Sequence, residues 1–112
     1  KKHTIREDKP NRWRAGRKIQ LSTGVRSKNY HQYGEEICKS VQEVWIFNKE
    51  NYRAIFVDTK LMFEQVDQHT FHPDFMKHFA INDGFDTVAE FWEFFNKRVF
   101  FGKIIHWTDL KY

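Results

Sequence analysis

The chain contains one cysteine, two prolines and five glycines in 112 residues. A single thiol, Cys38, cannot close an internal disulfide, so nothing calls for an oxidising compartment and the sequence reads as cytoplasmic. So few prolines and glycines leave no linker. With no internal repeat or low-complexity stretch either, residues 1–112 read as one domain. No apolar run approaches the ~18 residues that cross a bilayer, and no signal-peptide pattern leads the chain, so no membrane partner is expected. The first residue is Lys1 rather than methionine, which reads as a segment of a longer protein.

What is present is bulk and charge. Hydrophobic residues make up 40% and aromatics 18%, with 12 Phe and 4 Trp, enough to build a core and to exclude a disordered chain. The formal charge is +4, unevenly spread. Residues 1–30 hold ten Lys/Arg against Glu7 and Asp8, a balance of +8; residues 31–112 hold nine basic against thirteen acidic residues, a balance of −4. Such asymmetry points to a side that faces a polyanion.

The first half reads as strands. His3–Arg6 is short and β-compatible, and Lys18–Thr23 alternates, with Ile19 and Leu21 on one face. Residues 26–34 are polar and loop-like. Ile37–Phe47 alternates, its apolar positions Val41, Trp45 and Phe47 sharing a parity broken by Glu43. Tyr52–Val57 and Leu61–Gln65 follow as a meander, so the strands predict a curled sheet or small barrel of five to six strands. After His69 the pattern changes. Pro73-Asp74-Phe75 starts a helix that ends near Asn82-Asp83-Gly84. Asp86 or Thr87 caps a second helix, with Val88, Phe91, Trp92 and Phe95 forming its apolar stripe. Phe100–Trp107 closes the chain as a strand. The fold class is α+β, a β-barrel-like core with two flanking helices.

Lys1-Lys2-His3-Thr4-Ile5-Arg6, followed by Trp13-x-x-Gly16-x-x-Ile19-x-Leu21-Ser22-Thr23-Gly24-x-Arg26, resembles the ASCH domain, a relative of the PUA fold. The Asp83-Gly84-Phe85 turn before the Glu90-Phe91 helix and the final hydrophobic strand come in the order that resemblance implies. It implies a small PUA-like barrel and a cleft for RNA or a modified nucleoside, with no cofactor. Family members usually carry a strand and a helix before the Lys-x-x-Thr segment, where this chain begins. One branch sharing that segment hydrolyses N4-acetylcytidine. By its pattern Lys1 would align with the catalytic lysine, Thr4 with the nucleophile and Asp83 with the carboxylate. A threonine hydroxyl needs an adjacent base, which a desolvated lysine can supply. Alternation in a strand, however, sets Lys1 and Thr4 on opposite faces.

The binding reading asks less of the geometry. Lys2, Thr4 and Arg6 would line the floor of a basic cleft, with Arg12, Arg14, Arg17 and Arg26 supplying charge, Tyr30 stacking an unpaired base and Asp83 at an acidic edge. Trp13 reads as a core anchor over a turn rather than a stacking platform. His69, His72 and His78 have a spacing that zinc could use, but without a neighbouring cysteine the reading is no metal. Cys38 reads as a buried structural thiol. Phe94 exceeds what one helix face can bury and is left for a partner or a dimer contact. The rival readings are thus an amidohydrolase acting on an N-acylated nucleoside and a protein-interaction module. Oligomeric state stays open between monomer and weak dimer.

Overall fold

Short alternating segments joined by two-residue turns fold here into antiparallel sheets. The structure, a computed structural model, describes residues 1–23 and 31–112, without the side chains of 20–23 and 31–34. Its elements run β1 (His3–Arg6), β2 (Lys18–Thr23), β3 (His31–Ile37), β4 (Ser40–Lys49), β5 (Tyr52–Val57), β6 (Lys60–Val66), β7 (His69–Phe71), α1 (Pro73–Asn82), α2 (Val88–Phe94) and β8 (Val99–His106). Six strands form one antiparallel sheet in the order β1-β8-β4-β5-β6-β7, and β2 and β3 form a separate ribbon. The expected closed barrel is not found: among the described residues β1 and β7 are the two edges of an open sheet.

Turn chemistry explains the meander. Val57 pairs with Lys60 across Asp58 and Thr59, both at positive φ, the pattern of a two-residue hairpin whose twist matches its strands. A register shift at Ile55/Phe56, which pair with Phe63 and Leu61, puts a bulge at Met62 in β6 against β5. The segment from Ile37 to Phe47 is not one strand. Cys38 and Lys39 separate β3 from β4, and residues 31–34, expected in a loop, belong to β3. The three-residue edge strand β7 has too few residues to show a period.

The two faces of the sheet carry different partners. On one, Ile5, Val44, Ile46, Ile55, Val57, Phe63 and Ile104 pack beneath both helices around Phe79, Phe91, Trp92 and Phe95. Each aromatic buried this way contributes ~1.5–3 kcal/mol. On the other, Ile19, Cys38, Ile105 and Trp107 form a smaller cluster under the ribbon, with Trp13 and Val41 beside it. Cys38 is buried as expected, which pushes its thiol up from the usual range. In β4 the core face is Gln42, Val44 and Ile46; the predicted apolar parity, Val41, Trp45 and Phe47, is the half-buried opposite side. Both parities are apolar, so alternation alone cannot choose between them.

Helix ends position the site. Pro73 occupies the first turn of α1, where its missing N–H is harmless. At the other end Gly84, at φ 95°, donates to the Ile81 carbonyl and Phe85 to the Ala80 carbonyl, a Schellman closure. This leaves the C-capping Asp83 facing inward. Thr87 caps α2, its hydroxyl accepting from the Glu90 amide at 3.1 Å. Gly102 in β8 has another constraint: a Cβ there would lie 2.6 Å from the Arg6 carbonyl oxygen and 2.6 Å from the Phe100 ring. The ring can turn away but the carbonyl belongs to β1. Gly102→Ala is therefore expected to cost about 1–3 kcal/mol and to loosen β1, read as a lower thermal midpoint and faster amide exchange at Ile5 and Arg6. A midpoint unchanged from wild type would contradict it.

Candidate nucleic-acid interface

An aspartate organises the basic segment. Asp8 Oδ1 accepts from the Arg12 amide at 2.8 Å, and Oδ2 accepts from the Trp13 amide at 2.8 Å and from Lys103 Nζ at 3.1 Å. The same ammonium donates to Asn11 Oδ1. Burial pushes the Asp8 carboxyl up, but the two amides and the Lys103 charge outweigh it and hold the group at about 2. Asp8 counted in the sequence only as one of two acids in a basic stretch. An Asp followed closely by Pro10-Asn11 is also a turn signal, and that reading would have found it.

The loop folded around Asp8 gathers cations. The guanidinium of Arg6 lies 5.4 Å and that of Arg17 5.3 Å from the centre of the Trp13 ring. Arg17 Nη1 also donates to the Arg12 carbonyl at 3.1 Å. Cys38 then ties the base of the ribbon to this loop, its carbonyl accepting from the Gly16 amide at 2.8 Å and its amide donating to the Arg17 carbonyl at 2.7 Å. Arg6 on β1, Arg17 before β2 and Lys103 on β8 thereby share one region, since Arg6 pairs directly with Lys103. Arg12, Arg14 and Lys2 are exposed. Trp13 is half-buried against the smaller cluster, as a core anchor would be. Arg26 and Tyr30 lie outside the described residues.

Two placements differ from expectation. Thr4 is buried, 6% exposed, opposite Ile105, so it packs beneath the ribbon instead of opening onto a floor between Lys2 and Arg6. Asp83 is fully buried and faces His3, so it forms no acidic edge. His3 and Thr4 are successive residues of β1 and leave it on opposite faces. Lys1 does reach the turn: a Cβ on Gly84 would sit 3.0 Å from Lys1 Cδ and 3.5 Å from its Nζ. Of the three residues aligned with catalysis, Lys1 and Asp83 thus meet at one turn while Thr4 faces the other way.

The residue that draws Asp83 inward was missed. His3 Nδ1 lies 3.2 Å from Asp83 Oδ1 and Nε2 2.7 Å from the Tyr112 hydroxyl, which accepts from Asn82 Nδ2 at 3.0 Å. The Tyr112 hydroxyl thus links Asn82 to one ring nitrogen of His3, while the other ring nitrogen meets Asp83. Burial pushes the Tyr112 hydroxyl up to about 12, keeping it a donor. Next to His3, His106 Nε2 donates to Gln42 Oε1 at 2.9 Å, and Gln42 donates in turn to Asp58 and to the Tyr112 carbonyl, both at 2.8 Å. His3 shares its parity with Ile5, the one signal in the sequence that it faces the core.

This network is sensitive to acid. His106 Nδ1 is buried without a hydrogen-bond partner among the described residues, so protonating it would bury an N–H that has no acceptor. Burial first, then His3 and Lys111, push His106 down from 6.5 to about 4 against a smaller upward pull from Asp58. The unfolded chain then binds the proton more readily than the folded one. Stability from this group is complete above pH 6.5, falls as pH drops toward 4 and levels off below. Urea unfolding at pH 7, 5.5 and 4.5 should show that decline in wild type and a shallower one in His106→Gln. Equal slopes would assign the decline to other groups.

Among the described residues no three His, Cys, Asp or Glu side chains converge as a metal ion would require, and no helix is long and apolar enough to cross a membrane. Comparisons with models of protein families, with curated proteins and with solved structures found no match to this chain.

Proposed function

We propose that this is an ASCH-type, PUA-like domain that binds RNA or a modified nucleoside through the basic surface of its N-terminal third. The observation that carries the reading is the convergence of Arg6 and Arg17 on Trp13 beside Lys103, which draws cations from β1, the following loop and β8 to one region. Two of these guanidinium groups are oriented before any ligand arrives, which lowers the ordering cost of binding a phosphate backbone. Arg12, Arg14, Lys9 and Lys18 extend the charge, while Asp8 is consumed internally by two amides and Lys103. In this reading Trp13 orients arginines and does not stack a base.

Fluorescence anisotropy with a labelled 12-nucleotide single-stranded RNA tests it. Binding that a polyanion such as heparin competes away, and that charge reversal by Arg17→Glu weakens at least tenfold, is the expected result. No binding at 50 mM salt would sink the proposal.

One observation favours a second reading, the packing of Lys1 on Gly84 beside Asp83. As an amidohydrolase, the domain would have to bend the chain between Lys1 and the buried Thr4, which faces away from it. Lys1 could then take the Thr4 hydroxyl proton as the oxygen attacks the acetamide carbonyl of N4-acetylcytidine, and return it to the departing nitrogen. The cytidine amine would leave, and water would then release acetate from the acylated threonine. Acetate release that disappears in Thr4→Ala supports hydrolysis; no release leaves binding as the function.

A further inference from the structure

The sheet face away from the helices carries aromatics where an antiparallel sheet that meets water would carry polar residues. Phe101 is 61% exposed on β8, opposite Trp45 of β4 and just before the stretch of β8 that pairs with β1. It packs edge-on against Trp45 at 6.1 Å and Phe47 at 6.5 Å, and Phe56 stands 5.9 Å from Trp45 and 5.8 Å from Phe47. Neighbouring strands thus hold four rings in a fixed platform, and the ring in the outermost position is the most exposed. Beside it runs an open groove of about 250 Å³, walled by Trp45, Phe101 and Gly102 and by Asp8, Lys9, Glu43 and Lys103.

Charge is arranged in two zones. Within the groove, Asp8 holds Lys103 at 3.1 Å and Glu43 stands opposite Lys103 in register, so two acids face the two lysines and the floor is close to neutral. Cations stand on either side of groove and platform: Arg6 next to Lys103 on β1, and Lys49 with its ammonium 5.7 Å over Phe47 at the far side of the rings. A neutral, aromatic floor between cationic margins complements a ligand whose apolar, uncharged rings alternate with anionic groups. A single-stranded nucleic acid has that construction, since each base offers a π-face and each linkage a negative charge. A paired base hides its face within the duplex stack and cannot use the platform.

We propose that the Trp45–Phe101 face is a base-stacking site for unpaired RNA, with Phe101 stacking one base while Arg6 and Lys49 meet backbone phosphates of nucleotides on either side of it. The site rests on the RNA-binding reading above and narrows it to single strands. Phe101 is the residue whose removal costs the fold least, because most of its ring already meets solvent.

The test uses single-stranded RNA containing one 2-aminopurine and the same sequence as a duplex, titrated against wild type, Phe101→Ala and Phe101→Trp. The proposal expects 2-aminopurine fluorescence to change on binding to wild type. It expects Phe101→Ala to weaken single-strand binding by about tenfold, and Phe101→Trp to restore it. Duplex affinity should be the same in all three proteins. Wild-type affinity for single strands in Phe101→Ala, with Arg17→Glu still impaired, overturns the stacking site and leaves the basic surface standing. No RNA binding by wild type overturns both. Weakened self-association in Phe101→Ala, with RNA affinity unchanged, gives the face to a second copy of the chain and overturns the proposal.

Discussion

Replacing His3 with alanine is expected to lower the unfolding free energy by about 3 kcal/mol, a large part of the ~5–15 kcal/mol that such a domain holds. The imidazole is fully buried and answers two groups, Asp83 through Nδ1 and the Tyr112 hydroxyl through Nε2. Alanine removes both bonds and leaves a cavity between Phe79, His106 and Tyr112, whose rings stand 5.3–5.4 Å from that of His3. Asp83 would lose the imidazole it faces while staying tied to the end of α1, because its amide donates to the Phe79 carbonyl. The loss therefore falls on the joint between β1 and α1, which the Lys2 amide also bridges by donating to the Asn82 carbonyl at 2.7 Å. Urea unfolding of His3→Ala, Asp83→Ala and the double variant checks this. The two losses should fall short of additivity by about 1 kcal/mol or more. Strict additivity, or a loss in His3→Ala no larger than that of the exposed Lys2→Ala, would mean the pair is not a joint.

How far the sequence could be read follows from what each signal reports. Period and turn chemistry are local, and they locate β1, β2, β5 and both helices, with the Gly84 closure and the Thr87 cap. They fail where the deciding partner is remote. In β4 both parities are apolar because one face meets the helices and the other carries the Trp45–Phe47 platform, so no count of apolar residues tells core from surface. β7 exists through its pairing with β6, and three residues are too few to show alternation. The basic stretch was visible as a charge imbalance, and among its described residues Arg6, Arg12, Arg14 and Arg17 are exposed. Its organiser was legible only in part: the turn signal at Asp8 and Pro10-Asn11 points to the local bonds with the Arg12 and Trp13 amides, but the bond to Lys103 spans 95 positions of the chain. Asp83 shows the same limit. The glycine after it announces a helix end, but whether the capping carboxylate points to solvent or to the core depends on His3, 80 residues earlier.

Affinity for RNA is expected to fall about a hundredfold between 50 and 200 mM salt, the change that corresponds to roughly five phosphates neutralised on a single strand. The cations that could supply these contacts lie in one region: Arg6 and Arg17 on Trp13, with the exposed Arg12, Arg14, Lys9 and Lys18 around them. Each neutralised phosphate contributes about 0.7 to the slope of log affinity against log salt. Removing two such side chains should therefore flatten the slope, beyond lowering affinity at any one condition. Lys39 and Lys97 are the appropriate controls, because they sit in exposed ion pairs with Asp109 at 3.4 Å and Glu7 at 3.5 Å.

The most direct measurement is thus the salt slope itself, taken with one single-stranded RNA for wild type, Arg14→Ala/Arg17→Ala and Lys39→Ala/Lys97→Ala. A slope shallower by about 1.4 in the arginine pair, with the lysine pair matching wild type, is the predicted result. Equal slopes in all three proteins, or an affinity that does not change with salt, would contradict a basic surface built by the N-terminal third.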